Sequence, residues 1–363
     1  MHPIASSPLP LKRRWLRAAG TTAWLMVALV VIVAGQRFAG KALAQTPFRD
    51  TTSANKAAGN IPAYTALQEG RVDDAATLLR STLAANPSDG YAHQLLCRVF
   101  YAQEMADQAI QQCELAVSSP APSGEQASDD QLWLGRAYGM KARHAGPIAG
   151  FGLARKVQAC FARAVDLNPA NVAALNDLGE YDVEAPFVVG GGNDKAQALA
   201  AHVMPRFPGA AHLLLGRIAE DSDDAKTAEY EFKQEVATLK TPEAWIDLAQ
   251  FYRAHKQTDE AVAAIKSAVA ADRTHGPALV DAASILTEVH REPELAERCL
   301  RDYLASNAKS DAAPAFKVHL RLSKLLTARG DTMGASRELD MAAALAPNFA
   351  RLTSAKRAAR GQG

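Results

Sequence analysis

Residues 244–272, AWIDLAQFYRAHKQTDEAVAAIKSAVAAD, read as two helices joined by a polar turn. Trp245, Leu248, Ala249 and Tyr252 recur at helical spacing and lay one apolar stripe along the first helix. After the turn at residues 256–259, Ala261, Ile265 and Ala268 make the stripe of the second. Ala249, Ala261 and Ala268 are small enough for the two backbones to approach closely, while Trp245 and Tyr252 fill the wider gaps. Such a pair cannot bury its own apolar face alone, so copies are expected on both sides.

The copies are present. Leu215, Gly216, Ala219, Ala228 and Phe232 repeat the frame before this stretch. Leu279, Ala282, Ala283 and Leu286, then Ala296 and Leu300, repeat it after. Leu322, Leu326, Ala335, Leu339, Ala342 and Pro347 give a last copy; Leu96, Cys97, Phe100, Ala109, Cys113 and Ala116 give one near the front. Ahead of that, Ala75, Leu79 and Pro87 mark a second helix behind a weak first one. The pattern Trp-x2-Leu-small-x2-Tyr, then Ala-x3-large-x2-Ala, resembles the tetratricopeptide repeat, whose unit runs about 34 residues. The resemblance implies an all-α chain, an α-solenoid of about eight antiparallel helix pairs over residues 61–349. It also implies a scaffold that binds a protein or peptide in its concave groove, and it specifies architecture far better than activity.

Residues 1–44 stand outside that frame. Lys12, Arg13, Arg14 and Arg17 precede an uncharged run over residues 18–35, and Ala42-Leu43-Ala44 follows. This is the order of a signal peptide, and the run is also long enough for an N-terminal membrane anchor. In either case the basic end stays cytoplasmic, so the repeats are expected to be exported, periplasmic or anchored in the inner membrane facing the periplasm. Residues 45–60 are polar, without apolar period, and read as a flexible linker. Residues 350–363 form a basic tail with Arg351, Lys356, Arg357 and Arg360.

Six of the 40 Lys and Arg, and none of the 39 acids, lie in residues 1–44, which leaves 34 bases against 39 acids, a net charge of −5. That balance excludes a general nucleic-acid binder, which needs a basic face for phosphates. The sequence holds no H-E-x-x-H, no G-x-S-x-G, no Walker loop and no paired Cys/His metal spacing, so it offers no catalytic residues, no metal site and no cofactor. Cys97 and Cys113 fall at facing positions of one repeat. They read either as small buried apolar residues or, in an oxidising compartment, as a disulfide.

Two departures from the repeat stand out. The third copy carries ten extra residues between Tyr138 and Val157, and the fourth carries five extra before Ala196. These predict extended loops near residues 140–156 and 185–195, side by side on one edge, with Gly150, Phe151, Phe187, Gly190, Gly191 and Gly192 as candidate site residues. The loops read as an enlarged local core, as a lid over the groove, or as a phosphate cradle. Asp194 argues against the last, and Asn193 or Asp194 suits a helix N-cap. A small-molecule binder or enzyme using this Gly-rich edge is therefore one alternative function; a structural subunit of an envelope complex is another.

In this repeat type the first helices line the concave groove, and the residue after the small position points into it. That frame selects Arg98, Arg136 and Arg217, with Tyr91, Gln94, Tyr101, Asn176 and Arg253 beside them. Arginine's planar fork matches carboxylate, so the expectation is a stripe that reads carboxylate groups on a protein or peptide. Glu180, between Arg136 and Arg217 in the frame, is the competing partner within the chain.

Overall fold

A computed structural model describes residues 60–121 and 123–352. The segment read as a signal peptide or anchor, nearly all of the stretch read as a linker, and most of the basic tail lie outside the described residues. Among those described there is no strand. Sixteen α-helices follow one another in antiparallel pairs, and the fold is an α-solenoid of eight repeats. The pairs are α1 (Ile61–Gln68) with α2 (Val72–Ala85), α3 (Gly90–Ala102) with α4 (Ala106–Ser118), and α5 (Gly124–Ala142) with α6 (Pro147–Leu167). Next come α7 (Val172–Glu184) with α8 (Asn193–Val203), α9 (Pro208–Asp221) with α10 (Ala225–Leu239), and α11 (Pro242–Ala254) with α12 (Thr258–Ala271). The last are α13 (Ala278–Glu288) with α14 (Pro293–Ala305) and α15 (Ala315–Ala328) with α16 (Thr332–Leu345).

Local chemistry explains where the helices start and stop. Asp89, Ser123, Asn171 and Thr241 each accept a hydrogen bond from the backbone N–H three residues on, capping α3, α5, α7 and α11. Within six repeats the two helices are joined by a residue of positive φ, always seven places after the small position: Gly70, Glu104, Asp223, Lys256, His290 and Gly330. The two repeats with insertions lack it. There the same place falls on Ala142, still inside α5, and on Pro186, whose ring fixes φ near −65°.

The insertion in the third repeat is therefore not the loop expected near residues 140–156. Its extra residues lengthen α5 to 19 residues and α6 to 21, leaving only a short turn between them. Gly-Pro reads as a breaker in sequence, yet Pro147 occupies the first turn of α6, where a missing N–H costs nothing. The insertion in the fourth repeat does stay irregular. A single 3-10 turn, Phe187–Val189, leads through Gly190 (φ 100°) and Gly192 (φ 135°) into α8. The expected cap by Asn193 or Asp194 is replaced by Gly192; Asn193 instead donates to Asp221 at 3.0 Å.

The solenoid turns far enough for its ends to meet. In the connection between α14 and α15, Asp311 accepts from Arg98 Nε at 2.8 Å and from Gln68 at 3.1 Å. Lys317 and Arg351 both pair with Glu104, and Asn348 donates to Asp73. Phe316, Ala346 and Phe349 join the same buried cluster as Ala66, Leu67 and Leu79. Gly70 is needed twice over: its φ is 79°, and an added Cβ would lie 2.8 Å from the backbone N of Ala315. One turn of superhelix is closed on itself by this seam.

Cys97 and Cys113 are joined as a disulfide, with Cα atoms 5.3 Å apart, so the small-apolar reading of that pair gives way to the bonded one. Cys160 and Cys299 are free and buried, and burial pushes each thiol up to about 11.

Candidate functional site: the concave wall

The first helices meet along the inner wall by one rule. At four of the seven steps between repeats, the residue after the small position reaches the residue two before the small position in the next. Arg136 donates to Asp177 at 2.6 and 3.2 Å, and Arg217 to Asp247 at 2.9 Å. Arg98 stacks over the Trp133 ring at 5.0 Å, and Ser284 accepts from Arg321 at 2.6 Å. Helical geometry requires this: both positions lie on the same face, one turn apart, and adjacent first helices run side by side.

The consequence for the expected arginine stripe is direct. Arg98, Arg136 and Arg217 are all tied to carboxylates of their own chain, two of them with side-chain exposure of only 12% and 13% and Arg136 with 6%. Burial alone would lower each guanidinium, but the paired carboxylates hold all three above the ordinary value. Asp311 is the mirror case: burial would raise its carboxyl, yet Arg98 and Gln68 hold it below the usual range. These arginines join repeats and close the seam; the reading of carboxylates on a partner by this stripe is corrected. Glu180, the rival named from the sequence, is not the partner of Arg136; Asp177 is.

Between repeats six and seven, as between repeats four and five, no arginine stands after the small position. Gln250 stands where Arg136 and Arg217 stand in their repeats, and it faces Asp281 across the wall of a cavity of about 450 Å³. Burial pushes the Asp281 carboxyl up to about 7, against the pull of Arg321. Arg253 pairs with Glu288 at 3.0 Å on the same wall, and its Nε has no hydrogen-bond partner. Lys324 also lines this cavity and makes no ion pair or hydrogen bond among the described residues.

Three smaller cavities continue the wall. One of about 50 Å³ holds Asn176, Glu180 and Arg217 and shares Gln250 with the 450 Å³ cavity. One of about 110 Å³ holds Phe151, Phe161, Pro186 and Val189 and shares Asp177 and Glu180 with that one. One of about 170 Å³ crosses the seam, where Tyr101 faces Pro277, Lys317 and Arg321. It shares Tyr101 with the apolar cavity and Asp281 and Arg321 with the 450 Å³ cavity, so the chain of crevices closes into a ring.

The other residues selected from sequence fall as follows. Tyr91 and Gln94 are turned into the wall of the second repeat, Gln94 beside Asp130. Tyr101, Asn176 and Arg253 line cavities. Gly150 and Phe151 line the apolar chamber, whereas Phe187 is 82% exposed. Gly190 O accepts from Lys195 Nζ at 2.6 Å, and an added Cβ on Gly191 would collide with Ala185 O at 2.0 Å. Asp281, Arg321 and Lys324 were not selected from sequence, although the position two before the small residue would have pointed to the first two. Among the described residues no group of His, Cys, Asp and Glu is placed to hold a metal ion, and no helix is long and apolar enough to cross a membrane.

Residues 66–123 match the tetratricopeptide repeat family model. Helix pairs in the same frame lie before and after that segment, so the described residues have the fold of a tetratricopeptide repeat solenoid. Comparison with curated proteins by sequence finds no match. Among solved structures, yeast Tom70 is 15% identical over 95% of this chain and 72% of its own, with a TM-score of 0.47. A thermophilic tetratricopeptide repeat protein of Thermus thermophilus is 21% identical over 62% of this chain and 99% of its own, with a TM-score of 0.39. A chain of the APC/C hetero-tetramer Cut9-Hcn1 is 13% identical, with a TM-score of 0.37; the match spans 82% of this chain and 54% of that one.

Proposed function

We propose that this chain is a non-catalytic scaffold that holds a segment of a partner protein against its concave wall, between the first helices of repeats six to eight. The observation that carries the reading is the 450 Å³ cavity where the interrepeat pairing is interrupted. Elsewhere along the wall Arg98, Arg136 and Arg217 are engaged within the chain. Here Lys324 is unengaged and the Nε of Arg253 is unsatisfied, and an unpaired buried donor costs about 1–3 kcal/mol until something accepts from it. A partner's backbone carbonyls and side-chain oxygens supply such acceptors. Export to the periplasm belongs to the same reading: it is supported by the basic-then-apolar order of residues 12–35 and by the Cys97–Cys113 disulfide, which suits an oxidising compartment.

The test is retention of a partner from envelope extract by the immobilised chain and by a Thr287→Trp, Lys324→Glu variant, which fills the cavity and reverses its free charge. The reading expects one protein retained by the parent and at least ten-fold less by the variant, with equal helix content. Equal retention by both would place the contact elsewhere and overturn it.

A further inference from the structure

The apolar chamber of the third and fourth repeats is built by the two insertions. Lengthened α6 brings Phe151, Ala154 and Val157 over Gly139 and Ala142 of α5, and the 3-10 turn adds Pro186 and Val189. Tyr181 fixes that turn: its hydroxyl lies 2.8 Å from Ala154 O and 2.9 Å from Val189 O. Gly139 leaves the floor open, for an added Cβ there would meet only Val157, at 3.9 Å. Beside the chamber stand Ile148, one helical turn before Phe151, and Phe187, next to Pro186. They are 91% and 82% exposed, the two most exposed large apolar side chains among the described residues. Four ionic groups also line the chamber. Arg136 and Asp177 pair with each other and Glu180 has partners of its own; Arg143 makes no pairing among the described residues.

The geometry points to an anchor pocket for one large apolar side chain of the partner protein, with an acidic group beside that side chain for Arg143. Volume decides between occupants. A cavity of about 110 Å³ is close to the roughly 150 Å³ apolar cavity that takes benzene. That suits a single phenylalanine- or leucine-sized group and is too small for a long acyl chain. Charge decides the second feature, since the one uncompensated ion at the chamber is a cation, and hot spots are enriched in aromatic side chains that fill desolvated pockets and in arginine. This inference rests on the protein-partner reading above and assigns it a second contact, on the insertions.

The experiment needs no partner. Full-length chain is titrated with N-acetyl-4-fluorophenylalanine, which carries a ring and a carboxylate, and followed by fluorine NMR, with N-acetylalanine and dodecanoate as competitors. Saturable binding is expected, unaffected by either competitor. Gly139→Leu should abolish it by filling the chamber, without loss of helix content because leucine is the better helix former. Arg143→Ala, at a half-buried position, should weaken it about ten-fold and carries the test if Gly139→Leu misfolds. No saturable binding, equal binding in both variants, or displacement by dodecanoate would overturn the anchor pocket. Failure of the cavity variant at repeats six to eight would leave this result intact, so the two readings fail separately.

Discussion

Arg98 and Asp311, 213 residues apart in sequence, form a buried two-point ion pair that joins the second repeat to the connection before the eighth. Removing one partner strands the other charge in the seam, which typically costs about 3–5 kcal/mol, whereas replacing both with apolar groups is often neutral. Arg98→Ala should therefore destabilise strongly in urea, and Arg98→Met with Asp311→Leu should recover most of the loss. Small-angle scattering should show a larger radius for Arg98→Ala and the parent radius for the double variant. Equal radii for parent and Arg98→Ala would mean the apolar contacts of Phe316 and Phe349 hold the seam without the ion pair.

The interrupted pairing at Gln250 is a second handle. Gln250→Arg places a guanidinium where Arg136 and Arg217 stand, opposite Asp281. The new pair should bring the Asp281 carboxyl down from about 7 and raise stability at pH 8 by about 1 kcal/mol, in the range of a charge-assisted hydrogen bond offset by desolvation. It should also weaken partner binding by narrowing the cavity. Thermal unfolding at pH 8 with carboxyl NMR checks both; an unchanged Asp281 titration would refute the pairing rule at this step.

Asp130 supplies a pH dependence with a definite sign. Burial pushes its carboxyl up to about 7, Gln126 and Gln94 partly oppose this, and Asp129 adds to it. The folded state thus holds this proton more tightly than the unfolded chain, whose carboxyl titrates near 3.9. Stability from this group is full below about pH 4 and falls as pH rises to about 7. Asp130→Asn should remove that slope and gain up to about 4 kcal/mol at pH 8 as an upper bound. Parallel stability curves for parent and variant between pH 4 and 8 would contradict it.

The Cys97–Cys113 bridge closes a segment with a sequence separation of 16. A loop of this length corresponds to about 3 kcal/mol in the chain-entropy view. Reduction should lower the urea midpoint and speed hydrogen exchange first in α3 and α4, the pair it staples. Alkylation of all four cysteines in the unreduced, unfolded chain would show that the bridge is absent.

The repeat frame was legible because Trp245, Leu248, Ala249 and Tyr252 bury against neighbours, and burial leaves a periodic trace in sequence. The arginines were legible as groove-facing but not as engaged. The carboxylates that hold Arg136 and Arg217 sit one repeat on, at a position that side chains as different as Leu95, Trp133, Leu214 and Arg321 occupy in other repeats. The third-repeat insertion misled because Gly146-Pro147 is a turn signal and equally a helix start. The seam was not legible at all: nothing local marks Asp311 as the partner of Arg98 when the superhelical rise that brings them together accumulates over six repeats. The bonded cysteines were left open by sequence, since buried thiols and a disulfide share the same facing positions.

The most direct test of the central claim is where a partner touches. A photo-crosslinking residue replaces Lys324 on the concave wall or, as the outer reference, Tyr230 on α10, which is 58% exposed. Each variant is irradiated in envelope extract and the adducts are identified by mass spectrometry. The concave-wall account predicts one recurrent protein crosslinked from position 324, absent from position 230 and lost on adding Thr287→Trp. The same protein crosslinked from 230 and not from 324 would place the contact on the outer helices and contradict it.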